Sequence, residues 1–250
     1  MTFIAIIPKI AYIFIFFELY SLVYINPIVF YFSLLIGFLS VLYGSILSLY
    51  EASFKRLLGY GSIVHMGFII ISISLFELIS IASSFLYIIF YTLLMYICFI
   101  FLQLFIEKKE GSNEIIFLDN ITSLGFFFNK NFLLTLIFSF TLLSLAGLPF
   151  FMGFFSKLYV LLALVSSGYL ALVIVLLFMN ILITIYYIRL IRFLLFTEEK
   201  NNKSKKIYVN TKISILLYEL MLTIFIFNIL VLFYHNYILL VIINNIIGFF

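Results

Sequence analysis

Uncharged apolar runs recur along this chain, and they restrict its folding more than any other feature. Residues 28–50 (IVFYFSLLIGFLSVLYGSILSLY) form one such run, with no charged side chain over 23 positions. About 20 apolar residues in a helix cross the roughly 30 Å hydrocarbon core of a bilayer. Soluble domains are about 45–50% apolar and 25% charged. This chain is 66% hydrophobic and 10% charged, with a mean hydropathy of +1.33. It is therefore an integral membrane protein. Helix is the natural spanning structure, because barrel strands would alternate in polarity over ~10-residue units.

Between charge and turn signals, the apolar runs mark about seven spans, at 3–24, 28–50, 56–76, 79–106, 130–165, 169–196 and 212–234. The expected fold is all-α, a polytopic transmembrane helix bundle over 1–236. The apolar tail 237–250 is only 14 residues long, so it is expected to lie at the interface or re-enter rather than cross. The connections 107–129 and 197–211 are expected to be solvated loops. Lipid is the surrounding medium.

The charges supply an orientation. Of 14 Lys and Arg residues, twelve lie in connections or at span ends, and only Lys9 and Lys157 are left over, well inside spans. Lys55, Arg56, Lys108, Lys109, Lys130, Arg189, Arg192, Lys200, Lys203, Lys205, Lys206 and Lys212 all fall on one side when the spans are counted from the N-terminus. The opposite connections, near 25–27, 77–78 and 166–168, carry none. The positive-inside rule then places the N-terminus inside and the C-terminus outside. The basic balance belongs to this pattern, so no nucleic acid partner is expected. No metal-ligand spacing, phosphate-binding glycine loop or nucleophile–base pair is present, and no cofactor is expected in this chain. Cys98, the single cysteine, reads as a small buried hydrophobe.

The fifth span is too long. Its 36 residues would make one straight helix of ~54 Å. "SLAGLPFF" (144–151) supplies a break: Pro149 lacks a backbone donor and crowds the carbonyl of Leu145, while Gly147 loosens the preceding turn. Broken helices at membrane depth occur where protein or water satisfies the freed carbonyls, and transporters build ion sites on them. Lys157 stands eight residues beyond Pro149, ~12 Å along the axis. A lysine near a helix centre costs ~2.5–3.5 kcal/mol to insert. It either snorkels to an interface or faces a hydrated cavity where it gains and loses a proton.

Lys9 follows Pro8 close to the chain start, so snorkelling and a buried role are both open for it. Glu18, nine residues on, falls on the opposite helix face and cannot pair with it. His65 lies nine residues past Arg56, ~13 Å into its span and close to the midplane. It is either a hydrogen-bonded core residue or a proton-transfer group, since its ordinary pKa lies nearest physiological pH. Gly59, Gly61 and Gly67 would let a neighbouring helix approach. Glu51, Glu77, Glu219 and His235 lie near span ends and read as interfacial.

Taken together, "IIPKIAYIF", "KRLLGYGSIVHMGF", "LAGLPFFMGFFSKLYVLLA" and "YYIRLIRFLLF" resemble, in order and spacing, the C-terminal half of NADH dehydrogenase subunit 2. That family is an antiporter-like membrane subunit of respiratory complex I. Subunit 4 of the complex typically has a glutamate where Lys157 stands, and subunit 5 a similar lysine in a different context. The resemblance implies half of a fourteen-helix antiporter-like fold, with buried lysines, a histidine and one glutamate forming a hydrated proton path. Lys157 matches the lysine of the broken twelfth helix, Lys9 that of the eighth and His65 the histidine of the tenth. Relatives usually have arginine at Glu18 and glutamine at Glu51, which leaves local partners there open.

The implied function is proton translocation as a subunit of NADH:ubiquinone oxidoreductase, without a redox site in this chain. The implied partners are other membrane-arm subunits and a second polypeptide supplying the N-terminal helices, since Met1 directly precedes the first span. Phe-, Ile-, Leu-, Tyr-, Asn- and Lys-rich composition without Trp suggests an AT-rich genome, hence the mitochondrial inner membrane, with a bacterial plasma membrane as the alternative. The competing functions are an independent cation/proton antiporter and a structural remnant of the membrane arm.

Overall fold

Punctuation in the sequence sets the helix ends. In the computed structural model, which describes residues 2–104, 106–108, 115–117, 132–196, 207–208 and 211–248, Asn26 caps α2 (Pro27–Tyr50) by accepting from the Ile28 N–H at 3.1 Å. Pro27 follows at the first helical position, where its missing N–H costs nothing. α3 (Phe54–Leu75) ends at Phe76, whose φ of 52° turns the chain into α4 (Leu78–Leu104). α1 (Thr2–Val23) precedes them, and α5 (Phe132–Ala146), α6 (Met152–Ser166), α7 (Leu170–Phe196) and α8 (Thr211–Ile247) follow.

The expected break is present. Residues 147–151 separate α5 from α6, and the chain turns through left-handed conformations at Gly147 (φ 82°) and Phe150 (φ 78°). Each flanking helix has 15 residues, ~22 Å of rise, which is short of a full span. Among the described residues, the helices long and apolar enough to cross alone are Pro27–Tyr50, Phe54–Leu75, Leu78–Phe101 and Leu170–Phe196. The expected seven passes are reached only by adding α1, the α5–α6 pair and α8. α8 is itself bent, with Met221–Val231 and Phe233–Ile247 meeting at 86°. The second arm, which contains most of 237–250, packs Ile246 onto Ile81 and Ala82 of α4.

The two long connections differ from the expected loops. Strands β1 (Ile106–Lys108), β2 (Ile115–Phe117) and β3 (Ile207–Tyr208) form one antiparallel sheet in the order β2-β1-β3. β1 follows α4 and β3 follows α7, so their pairing (Ile106 with Tyr208) holds those two helix ends on the same side. Arg189, near the end of α7, donates to the carbonyls of Leu49 and Glu51 at 2.7 and 2.6 Å. That contact caps the C-terminal end of α2 on this same side. The side is the basic one of the charge pattern. Lys109, Lys130, Lys200, Lys203, Lys205 and Lys206 lie outside the described residues.

α2 and α3 pack most closely. A Cβ on Gly67 would overlap Ser40 and lie 2.8 Å from the Gly37 carbonyl, so only glycine allows this approach. A Cβ on Gly59 would meet no atom within 4 Å, and one on Gly61 would face tyrosine hydroxyls rather than a helix backbone. Of the three glycines expected to admit a helix, one does so.

Candidate functional site

The α5–α6 break leaves carbonyls at the end of α5 and N–H groups at the start of α6 without helical partners. Side chains satisfy both. The Nζ of Lys157 donates to the carbonyls of Leu145 and Ala146 at 3.1 and 2.9 Å, and to Asn180 Oδ1 of α7 at 2.7 Å. The Met152 N–H donates to Asn228 Oδ1 of α8 at 3.1 Å, and the Gly153 N–H to Ser144 Oγ at 3.2 Å. Lys157 is 3% exposed; it does not snorkel. Its ammonium sits at the negative end of the α5 dipole. The sequence offers this lysine no nearby carboxylate, and the end of the broken helix stands in for one.

His65 is also buried, at 2% exposure. Its Nδ1 lies 2.9 Å from the Tyr87 hydroxyl and its Nε2 3.5 Å from that of Tyr187. The ring lies against Tyr91, with centroids 4.9 Å apart. Tyr91 in turn meets Lys9, whose Nζ is 3.5 Å from the hydroxyl and 5.9 Å from the ring centroid. Lys9 is half-buried, an intermediate between the two expectations. Glu18 is exposed and away from this line, as the helical phase requires. Glu77 accepts from Ser166 and Ser167 at the α6–α7 turn.

Two small cavities lie among these groups. One, of about 10 Å³, near the least that holds a single water, is lined by His65, Tyr87, Tyr91, Ser144, Ser156 and Lys157. The other, also about 10 Å³, is lined by Lys9, Met66, Tyr91 and Met95 among others. Tyr91 borders both. The resulting order is Lys9, Tyr91, His65, the first cavity and Lys157. Hydroxyl, imidazole and amine can each give and take a proton. The 3.5 Å separations are at the edge of hydrogen-bond range. Among the described residues, no cluster of His, Cys, Asp or Glu could hold a metal ion.

Sequence reasoning missed Tyr87, Tyr91, Tyr187, Asn180 and Asn228. The tyrosines carried no distinguishing signal in a chain with 18 of them. Asn180 did, as the only amide side chain in α7.

A broken helix at membrane depth is a device on which transporters build ion sites. The family model described as "NADH:quinone oxidoreductase/Mrp antiporter, TM" matches residues 1–184, and this chain belongs to that family. NADH-quinone oxidoreductase subunit N of Pelagibacter ubique is 31% identical over 207 residues, covering 80% of this chain and 42% of the relative. The subunit N of Wolbachia from Brugia malayi is 29% identical over 197 residues, covering 78% and 40%. A chain of Thermus thermophilus respiratory complex I superposes with a TM-score of 0.69 at 20% identity, over 83% of this chain and 44% of that one. A chain of the Mrp complex from Dietzia sp. gives 0.65 at 16%, over 84% and 45%. These likenesses show the antiporter-like fold. The chain spans less than half the length of the curated relatives it matches.

Proposed function

We propose that this chain works as the C-terminal half of a subunit-2-type membrane component of NADH:quinone oxidoreductase, carrying protons across an energy-coupling membrane. The observation that carries the reading is the line of Lys9, Tyr91, His65 and Lys157 along two small cavities that both border Tyr91. A charged Lys157 is held by the α5 carbonyls and Asn180. When it gives up its proton, the end of α5 loses its cationic cap, so occupancy of Lys157 and the conformation of the break are coupled. Protons enter from the compartment facing the Lys- and Arg-rich connections, the matrix if the membrane is mitochondrial. Electron transfer and its cofactors belong to other subunits of the assembly.

The remaining helices of the fold come from a second polypeptide packed against α1 and the α5–α6 pair. In support, the matched relatives are more than twice as long as the region they share with this chain. Sequence relatives at 30% identity and above are quinone oxidoreductase subunits, which favours this role over an independent cation/proton antiporter. The test is purification of the tagged chain in mild detergent. It should bring down NADH-oxidising activity and a strongly apolar companion chain. A stable particle that exchanges cations for protons without oxidising NADH would establish the antiporter instead.

A further inference from the structure

α1 is packed on one side only. Its Tyr20 hydroxyl donates to the Ser74 carbonyl of α3 at 2.8 Å, and the ring of Phe17 meets that of Phe85 in α4 with centroids 5.5 Å apart. Lys9 turns toward Tyr91 of α4. The other side of the helix is uncovered. At about 100° per residue, Ala11 and Leu22 fall within about 40° of Ile15, and Tyr12 and Glu18 flank that line at about 60° on either side. All five are exposed.

Two of the five are ill suited to lipid. Tyr12 lies at the middle of the 22-residue helix and is 70% exposed, so its hydroxyl would face hydrocarbon with nothing to bond. Glu18 stands five residues before Val23, roughly 7 Å inside that end of the helix. Helical side chains lean toward the N-terminus, which carries this carboxylate deeper rather than out to the nearer surface. Among the described residues, the recorded bond of Glu18 is through its backbone: its carbonyl accepts from Ser21 Oγ at 2.7 Å.

This chain has no cation to spare for Glu18. Lys9 projects from the opposite face of α1, and Lys157 is bound to the α5 carbonyls and Asn180. The twelve other Lys and Arg residues belong to the basic side, whereas Glu18 lies near the turn at 24–26, on the side without them. A carboxylate inside a membrane pairs with a basic group or a polar cavity.

We infer that the Ala11–Ile15–Leu22 face of α1 docks a transmembrane helix of the companion polypeptide that carries an Arg or Lys level with Glu18. This rests on the two-chain reading proposed above and names the chemistry of its contact. The basic side chain forms an ion pair with Glu18 in the half of the membrane away from the basic connections. Ala11 lets the docked backbone come close, and the Tyr12 hydroxyl donates across the same seam.

The test uses the assembled complex with Ile15→p-benzoylphenylalanine, so that light links this face to whatever lies on it. Leu22→p-benzoylphenylalanine, on the same line, is the second site. Mass spectrometry of the adduct should identify an apolar segment of the companion chain with an Arg or Lys within about two turns of the linked residue. Glu18→Gln, matched in shape, should lower the yield of assembled complex, because the partner's cation is left unpaired. Glu18→Lys should lower it further, and changing the identified basic residue to Glu alongside Glu18→Lys should restore it. An adduct with lipid, or with a segment lacking a basic residue, overturns the docking assigned here. So does full yield with Glu18→Lys, or failure of the charge swap to restore assembly. If the companion chain still co-purifies with NADH-oxidising activity in those cases, the two-chain reading stands and this contact alone fails. If no companion co-purifies, both fail.

Discussion

Gly147→Ala isolates the coupling between the helix break and the buried lysine. Gly147 has φ 82°, and an added Cβ would lie 2.9 Å from both Cδ and Nζ of Lys157. Ordinary carbon contacts are about 3.5–4.0 Å, so the lysine must retreat by about 0.5–1 Å. Its bonds to Leu145 and Ala146, at 3.1 and 2.9 Å, would then stretch beyond useful range. Left-handed alanine costs roughly 1–2 kcal/mol, and losing one charge-assisted bond about 1.5–3, for a total near 2.5–5 kcal/mol. Gly168 is the built-in control. It has φ 84° with no atom within 4 Å of the added Cβ, so Gly168→Ala should cost only the backbone part. Thermal melting of the purified complex and proton pumping in vesicles are the assays. Gly147→Ala should melt lower than Gly168→Ala and pump fewer protons per NADH, and Gly168→Ala should pump normally. Equal behaviour of the two variants would refute the idea that the glycine makes room for the lysine.

Other consequences are equally open to measurement. Asn228→Ala leaves the Met152 N–H at the start of α6 without its acceptor, and the complex should lose about 1–3 kcal/mol of stability, read as a lowered melting temperature. Arg189→Gln should weaken the joint between α7 and the end of α2, reducing the yield of assembled complex, because two guanidinium bonds at 2.7 and 2.6 Å are lost. Glu110→Cys and Asn202→Cys should both label from the same side of sealed vesicles, the side from which protons are taken. Labelling of the two from opposite sides would contradict the β1–β3 pairing of their connections. Lys157→Arg should not restore full pumping, because arginine stays charged at any accessible pH.

Sequence signals differed in how much of this they revealed. The break was legible because Gly147 and Pro149 interrupt a run too long for one helix, and glycine adopts the required left-handed turn. Lys157 and His65 stood out because a basic side chain in hydrocarbon is costly and rare. Their partners were hidden. Lys157 is satisfied by backbone carbonyls, which every residue possesses and no sequence pattern marks. The tyrosines around His65 are chemically identical to those facing outward, such as Tyr12, Tyr31 and Tyr43. Only packing distinguishes them. The small sheet was missed because strands of two or three residues in polar connections give no alternation to detect. The bend in α8, between Val231 and Phe233, has no proline or glycine beside it, and the polar pair His235 and Asn236 that ended the expected span at 234 lies just beyond it.

The central claim is that Lys157 and the groups in line with it carry protons. The measurement that tests it most directly is the number of protons pumped per NADH oxidised by assembled Lys157→Met complex in sealed vesicles. Methionine keeps the apolar stem and removes only the titrating group. The account predicts that the complex assembles and oxidises NADH, while the protons carried through this subunit disappear from the stoichiometry. An assembled variant with the parent stoichiometry would contradict it and leave Lys157 as a structural cap on α5.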